Sequence, residues 1–163
     1  MSTPKSEPVV VSRSIGASPM HVWSMVADVR RMGEWSPENK SCVWAKGSSG
    51  PEIGARFVGS NRNGKRRWKT SCVVTACEPG KVFRFDVRAG PVKIAQWTYE
   101  FVATADGCVV TESTVNYENR FVAKLGDLLS GVTDRAEHNR AGMETTLAKL
   151  GISAERASRT SSS

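Results

Sequence analysis

The sequence contains no long apolar run. Among its 163 residues, no stretch approaches the roughly 18 consecutive apolar side chains that a transmembrane helix requires, and no apolar segment follows the polar opening 1–8. These absences argue against a membrane-spanning protein and against a secretory leader, so we expect a soluble protein of the cytoplasm. A hydrophobic fraction of 39% still excludes disorder for most of the chain, whose length suits one domain with a sizeable core.

Motifs that bind metals or cofactors are also missing. The chain has only two histidines, and none of its four cysteines forms a C-x-x-C pair. We therefore expect reduced, structural thiols and predict neither a metal nor a cofactor. Residues 59–65 match the G-x-x-x-x-G-K core of a phosphate-binding loop. However, Arg66 stands where a serine or threonine belongs, and the residues that follow predict a strand instead of the required helix.

The sequence shows no catalytic constellation. Neither His21 nor His138 has an evident serine or cysteine partner, and both are expected on the surface. Asp86 and Glu100 fall on strand faces opposite the aromatic residues, which argues against a buried carboxylate pair. The residues alone therefore leave enzymatic activity open.

The excess of basic residues, 23 Lys and Arg against 16 acids, is partly concentrated in one segment. Five of these residues lie within Arg62–Lys69, next to the hairpin signal Asn63-Gly64. Such a basic hairpin can grip a phosphate backbone or a protein partner. It can equally be a solvated turn that keeps a sheet edge soluble. The second interpretation is favoured, and nucleic acid is the less favoured partner.

The pattern of residues predicts a single domain over 8–152, with a flexible N-terminus at 1–7 and a disordered C-terminal tail at 153–163. A β-branched segment predicts a strand at 9–15. Ser18-Pro19 then marks the start of a helix at 19–29, with a short turn or second helix to Pro37. Alternating apolar residues separated by turn signals predict six further antiparallel strands at 41–47, 55–61, 66–77, 81–88, 94–104 and 108–117.

The C-terminal part has the period of an α-helix. Apolar residues recur at steps of three, four or seven, which predicts a long helix that covers the apolar face of the sheet in an α+β fold. Gly126 and Gly131 weaken the pattern, so the helix is either kinked or begins after them. The repeating residues are Phe121, Leu125, Leu128, Val132, Ala136, Met143, Leu147 and Leu150.

Aromatic residues are grouped on the strand faces that should meet this helix. They either fill the core or leave an apolar cleft for a small ligand, and the sequence favours neither interpretation. Asn139 falls on the buried helical stripe, where its amide needs a partner. The residues predicted to surround a ligand are Trp68, Phe83, Phe85, Trp97 and Tyr99 on the sheet, Asn139 and Met143 on the helix, and Trp35 and Phe57 near the mouth.

Several short segments, in their order along the chain and in their residues, resemble the START-like, helix-grip superfamily (SRPBCC), most closely its polyketide cyclase/dehydrase branch. The resemblance covers roughly residues 8–150. The segments are Ser18-Pro19-Met20-His21-Val22-Trp23, Val26-Ala27-Asp28, Glu34-Trp35-Ser36-Pro37, Gly54-Ala55-Arg56-Phe57, Glu78-Pro79-Gly80-Lys81-Val82-Phe83, Trp97-Thr98-Tyr99-Glu100-Phe101, Asp106-Gly107-Cys108 and His138-Asn139-Arg140-Ala141-Gly142-Met143-Glu144-Thr145-Thr146-Leu147.

This resemblance implies a seven-stranded antiparallel sheet curled around the C-terminal helix, with two short helices after the first strand and a hydrophobic cavity between sheet and helix. It implies a small apolar ligand, such as a lipid, sterol or polyketide, as the partner. The alternatives are a cyclase or dehydratase that acts in the same cavity, and an interaction module that uses the basic hairpin Arg62–Lys69. No catalytic signature of the family matches this sequence residue by residue.

Overall fold

The chain begins with a strand and ends with a long helix in the computed structural model, which describes residues 3–117 and 120–161. The elements, in order, are β1 (Val9–Ile15), α1 (Pro19–Ala27), a 3₁₀ helix (Val29–Glu34), β2 (Asn39–Trp44), β3 (Arg56–Asn63), β4 (Arg66–Glu78), β5 (Val82–Ala89), β6 (Val92–Thr104), β7 (Gly107–Asn116), α2 (Arg120–Ser130) and α3 (Arg135–Thr160). The predicted α+β class is confirmed.

The seven strands form one antiparallel sheet in the order β1-β7-β6-β5-β4-β3-β2. Strands β2 to β7 pair with their sequence neighbours, as the short turns predict, and β1 returns to the far edge beside β7. The sheet curls around the C-terminal helix, which confirms the predicted helix-grip architecture. Because side chains alternate between faces, each strand presents every second residue to the concave side.

The hairpin between β3 and β4 turns one position later than predicted. Asn63 pairs with Arg66, so Gly64 and Lys65 form the two-residue loop instead of Asn63-Gly64. Gly64 has a φ of +58°, and glycine adopts this left-handed conformation without steric cost. The first loop position is also where a type II′ turn requires glycine.

Helix α1 begins as its sequence predicts. The Ser18 hydroxyl accepts a hydrogen bond from the His21 backbone N–H (3.2 Å), and Pro19 occupies the first turn. The helix ends at Ala27, two residues before the predicted boundary, and the 3₁₀ helix follows. Trp23 anchors α1 to the sheet, since its indole N–H donates to the Val82 carbonyl (2.9 Å).

The C-terminal helical segment is divided at Gly131, which takes a φ of +71°. This break realises the predicted alternative in which the long helix begins after the glycines. Val132, Met143, Leu147 and Leu150 are buried as expected, whereas Leu125, Leu128 and Ala136 are exposed. Those three residues therefore do not belong to the core-facing stripe, and the side chain of Phe121 lies outside the described residues.

The end of the chain differs from the predicted disordered tail. Helix α3 continues to Thr160 because Ala154 is buried and the Glu155 carboxylate accepts a hydrogen bond from the Gly16 backbone N–H (2.9 Å). At the other end, residues 3–7 are exposed, and Lys5 donates its backbone N–H to the Asn116 carbonyl (2.9 Å). Residues 1–2 and 162–163 lie outside the described part of the chain.

Helix α3 lies mainly over one side of the sheet, against β1 and β7. Its C-terminal half packs into a solid core with α1 through Leu147, Leu150 and Ala154. Its N-terminal half and α2 lie opposite the middle strands, where no second helix fills the space between them among the described residues. Within the same residues, no helix has the length and apolar composition needed to cross a membrane.

Candidate functional site

A cavity of about 810 Å³ lies between the concave face of the sheet and the segment formed by α2 and the N-terminal half of α3. Its walls come from the inward residues of β2 to β7. The hollow exists because α3 is displaced toward β1 and β7, so the large side chains of the middle strands have no helix directly against them. A volume of this size is in the range of small-molecule sites.

Most of the residues predicted to surround a ligand are brought together here. Seven of the nine line the cavity, and they come from four strands and from α3. They are Phe57, Trp68, Phe85, Trp97, Tyr99, Asn139 and Met143. Their contact with a ligand stays a prediction.

Trp35 and Phe83 do not line the cavity, contrary to expectation. Trp35 is 3% exposed and packs in the core, with the Arg31 guanidinium 5.1 Å from its ring centroid. Phe83 is completely buried in the solid part of the core, on the strand that α1 covers. Phe57 lines the cavity but is 2% exposed, so it belongs to the inner wall and not to the mouth.

The aromatic wall is held by contacts between rings. Phe57 meets Phe85 edge to face, with ring centroids 5.1 Å apart, and Trp44 meets Phe57 in the same way at 5.8 Å. Phe83 supports Phe85 from behind the cavity at 6.0 Å. Edge-to-face pairs add stability beyond the burial of their area, so these ring contacts stabilise the wall.

A chain of polar side chains crosses the wall from β2 to β4. Asn39 donates its amide N–H to the Asn61 oxygen (3.2 Å), and Asn61 donates to the Thr70 hydroxyl (3.2 Å). Gly59 lies between them, and a Cβ at this position would come within 2.9 Å of both Asn39 Nδ2 and Thr70 Oγ1. The sequence did not predict this group, since its members are separated along the chain and meet only through strand pairing.

An acidic residue that the sequence patterns did not predict as part of the site also lies on this wall. Glu112 on β7 pairs directly with Tyr99 on β6, and the Tyr99 hydroxyl donates to Glu112 Oε1 (2.7 Å). Glu112 is 2% exposed, and burial raises the pKa of its carboxyl to about 8, although the tyrosine hydrogen bond lowers it. Burial and the neighbouring acid raise the Tyr99 pKa as well. Both side chains are therefore protonated at pH 7.

The strand pattern contained a signal for Glu112. Cys108, Val110, Glu112 and Thr114 alternate along β7, and all four are buried. Assigning the face of Glu112 from its apolar neighbours two and four residues earlier would have placed the acid on the concave side.

A charged cluster borders the cavity near the start of α3. Glu38 Oε1 lies 3.2 Å from an Arg135 guanidinium nitrogen and 3.3 Å from His138 Nε2. Arg135 also donates to the Ser130 hydroxyl. His138 is thus a partly buried member of the cavity lining and not the isolated surface histidine that helical geometry predicted.

The thiols of the cavity are neutral. Cys42 and Cys72 both line the wall, and burial raises their pKa values to about 11 and about 12 respectively. A cysteine nucleophile reacts as the thiolate, so neither side chain is activated for covalent chemistry.

The basic hairpin and α2 close one side of the cavity together. Asn63 donates its side-chain amide to the Ser130 carbonyl (2.9 Å), and Arg66 donates to the Leu128 carbonyl. These bonds satisfy carbonyls at the C-terminal end of α2, where a cation is also favoured by the helix dipole. Leu125 and Leu129 line the cavity while remaining about half exposed, which makes α2 the wall nearest to solvent.

A curled antiparallel sheet that grips a C-terminal helix, with a hollow between the two, defines the helix-grip class of folds. The chain belongs to the family described as polyketide cyclase / dehydrase and lipid transport, whose model matches residues 7–151.

Solved structures of several proteins share the fold of this chain. The Polyketide_cyc-like protein Cgl2372 of Corynebacterium glutamicum is 29% identical, with a TM-score of 0.57 and coverage of 98% of this chain and 95% of that one. The di-domain ARO/CYC StfQ of the steffimycin biosynthetic pathway is 16% identical (TM-score 0.67), covering 93% of this chain and 52% of its own. The major latex-like protein 151 of Panax ginseng is 8% identical (TM-score 0.67), covering 91% and 97%. No curated protein matches this chain in sequence.

Proposed function

We propose that this protein binds or carries a small, mainly apolar molecule in the cavity between the sheet and α3. The observation that carries the proposal is the hollow itself, about 810 Å³ in volume and walled by Phe57, Phe85 and Trp97. Interiors of proteins are normally close-packed, so a void of this size with a rigid aromatic wall is a feature that folding alone does not require.

Burial of apolar surface supplies the driving force for binding. Removing apolar area from water contributes about 25 cal/mol per Å², and the ring faces of the wall offer that area to a ligand. The few polar groups, among them Asn139 and the Asn39–Asn61–Thr70 chain, are suited to orienting one end of the molecule.

The family name agrees with this proposal, since it includes lipid transport. A lipid, a sterol or an aromatic polyketide each combines a large apolar body with few polar groups. The position of α2 is consistent with entry of the ligand past this helix, because Leu125 and Leu129 border both the cavity and the solvent.

Binding is tested by native mass spectrometry and thermal unfolding with a panel of fatty acids, sterols and aromatic polyketides. A ligand present at 100 times its Kd stabilises the fold by about 2.7 kcal/mol, which corresponds to a rise in Tm of roughly 5–10 °C for a chain of this size. The absence of both a mass adduct and a Tm shift with every compound class would refute the proposal.

A blocked cavity provides the matched control. Ala95 lines the cavity on β6, whereas Ala103 lies exposed near the end of the same strand. Ala95→Trp should weaken binding because it occupies part of the cavity, while Ala103→Trp should leave binding unchanged. Equal binding by the two variants would place the ligand outside the cavity.

A second candidate function is cyclase or dehydratase chemistry in the same cavity, and Glu112 is the observation that favours it. A buried acid whose pKa is about 8 is poised to donate or accept a proton near neutral pH. In an aldol cyclisation, an enol carbon of the substrate attacks a carbonyl carbon while Glu112 gives its proton to the carbonyl oxygen. The enol O–H returns a proton to the Glu112 carboxylate as its own C=O forms, and the new hydroxyl later leaves with an α-hydrogen as water.

The catalytic candidate is tested with a poly-β-ketone thioester, by following cyclisation and loss of water by mass spectrometry. A rate above the spontaneous reaction that falls about 10²-fold or more in Glu112→Gln supports it. A rate equal to the spontaneous one refutes catalysis but leaves binding intact.

A further inference from the structure

One oxygen of the buried Glu112 carboxyl has no partner in the described part of the chain. Oε1 accepts the Tyr99 hydroxyl, but Oε2 makes no hydrogen bond among residues 3–117 and 120–161, although it is inaccessible to solvent. Thr114, two residues further along the same face of β7, likewise has an unpaired hydroxyl among those residues. Buried polar atoms are normally hydrogen-bonded, and other atoms of the Glu112 side chain border the cavity, so a rotation of its carboxyl group about the last bond would let the unpaired oxygen meet a partner that enters from there.

The neighbours of Glu112 determine which chemistry that partner must have. Tyr99 on β6 is the titratable side chain in contact with it, and Val11 on β1 pairs with it from the other side. Met143 and Thr146, which border the cavity from α3, are uncharged. No cation among these neighbours compensates an ionised carboxylate, so the neutral acid is the stable form and its remaining O–H is a donor.

We propose that the bound molecule presents an uncharged oxygen acceptor, such as a carbonyl or hydroxyl oxygen, to the Oε2 side of Glu112, while its apolar body lies against the aromatic wall. The inference rests on the proposed binding function and specifies the class of ligand. A free carboxylate is disfavoured because it would meet a second acid in a dry environment. An amine is disfavoured because it would create a buried ion pair with its desolvation cost.

Three probes that share one apolar body test the proposal. They are 1-acetylpyrene, 1-isopropenylpyrene, in which a CH₂ group replaces the carbonyl oxygen, and pyrene-1-carboxylate, and their binding is followed by fluorescence at pH 6.5. We expect the wild type to bind the ketone about tenfold more tightly than its hydrocarbon counterpart, and to bind the carboxylate most weakly of the three.

Variants assign the preference to Glu112. Glu112→Leu should remove the discrimination between ketone and hydrocarbon, and Glu112→Gln should retain much of it because the amide still donates a hydrogen bond. Glu100 is exposed on the neighbouring strand, so Glu100→Leu and Glu100→Gln are matched controls that should behave like the wild type. A ketone preference that survives in a folded Glu112→Leu protein would overturn the inference.

The dependence on pH provides a second test that does not rely on the leucine variant folding. Raising the pH from 6.5 to 9 should abolish the ketone preference of the wild type, since Glu112 then loses its proton, whereas Glu112→Gln should keep its preference unchanged. A wild-type preference that is constant over this range would contradict the inference.

Tight binding of all three probes without discrimination would refute the inference and leave the proposed function standing. Binding of none of the probes would count against both.

Discussion

Glu112 links the cavity to the stability of the whole protein. Its ordinary pKa is near 4.5, and burial raises it to about 8 in the folded protein. Between these values the unfolded chain has released the proton while the native protein retains it. The contribution of Glu112 to stability is thus complete below about pH 4.5 and is lost as the pH rises to about 8.

Glu112→Gln should therefore remove a pH dependence of about 1.4 kcal/mol per pH unit over this range, because the amide mimics the neutral acid at every pH. Urea unfolding at pH 5, 7 and 9 measures the effect, and the difference between the variant and the wild type should grow with pH in favour of the variant. Glu100→Gln serves as the control. A constant difference at the three pH values would contradict the assignment of the titration to Glu112.

Gly59 is required by the close approach of two polar side chains. Gly59→Ala would bring a methyl group within 2.9 Å of Asn39 Nδ2 and Thr70 Oγ1 and disturb the Asn39–Asn61–Thr70 chain. We expect a loss of about 1–3 kcal/mol in the free energy of unfolding, as for other overpacked sites. Gly50→Ala, where a Cβ meets nothing within 4 Å, should cost nothing measurable by the same denaturant titration.

At the level of elements, the basic hairpin acts as a structural cap for α2. Arg66 contacts the Leu128 carbonyl, and a Cβ on Gly131 would come within 2.8 Å of the arginine side chain. Part of the positive charge that suggested an anionic partner therefore makes a contact within the molecule, although Arg66 is exposed. Lys65, in the loop, remains exposed.

Arg66→Ala should loosen α2 without affecting the solid core. A lost hydrogen bond of this kind is worth about 1 kcal/mol, so amide hydrogen exchange in α2 should accelerate about fivefold, while exchange in β6 and β7 should be unchanged. Lys65→Ala removes the same charge from the same hairpin and should leave α2 exchange as it is. Equal effects of the two substitutions would show that charge, and not the capping contact, is responsible.

At the scale of the whole molecule, the last turns of α3 connect the C-terminus to the rest of the domain. Ending the chain after Ile152 would remove buried Ala154 and the bond from the Gly16 N–H to Glu155. The free energy of unfolding should then fall by about 1–3 kcal/mol in a urea titration. Ending it after Thr160 should change stability by less than about 0.5 kcal/mol. A similar result for both truncations would indicate that the last helical turns do not stabilise the fold.

The strands, their antiparallel order and the α+β class could be predicted because alternation and turn residues act over a few neighbouring positions. The tail could not, since 153–163 is polar and short of apolar residues, and its helix depends on a contact with Gly16 far away in sequence. Leu125 and Leu128 were misplaced for a related reason. Their spacing continues the stripe of α3, but the left-handed Gly131 ends α2 and changes its orientation.

Five of the seven candidate residues that line the cavity lie on strands, where parity assigns side chains to a face without knowledge of the partner, while Asn139 and Met143 followed from the helical stripe. Parity does not say what lies above that face. Phe83 shows the limit, since it is completely buried in the solid part of the core on the strand that α1 covers. Trp35 follows the 3₁₀ helix, outside the strands, and packs into the same core. The pairs Glu112–Tyr99 and Asn39–Asn61 arise from strand register, which joins residues 13 and 22 positions apart.

The amino-acid order was sufficient for the architecture, because local periodicity, capping and turn chemistry select each element and short connections select its neighbour. The hollow was decided by tertiary structure. Helix α3 sits toward β1 and β7 instead of centrally, and this offset leaves the aromatic face of the middle strands unfilled. Whether those aromatics form a core or a binding wall depends on the distance between packed elements, a quantity that emerges only when the whole chain is folded.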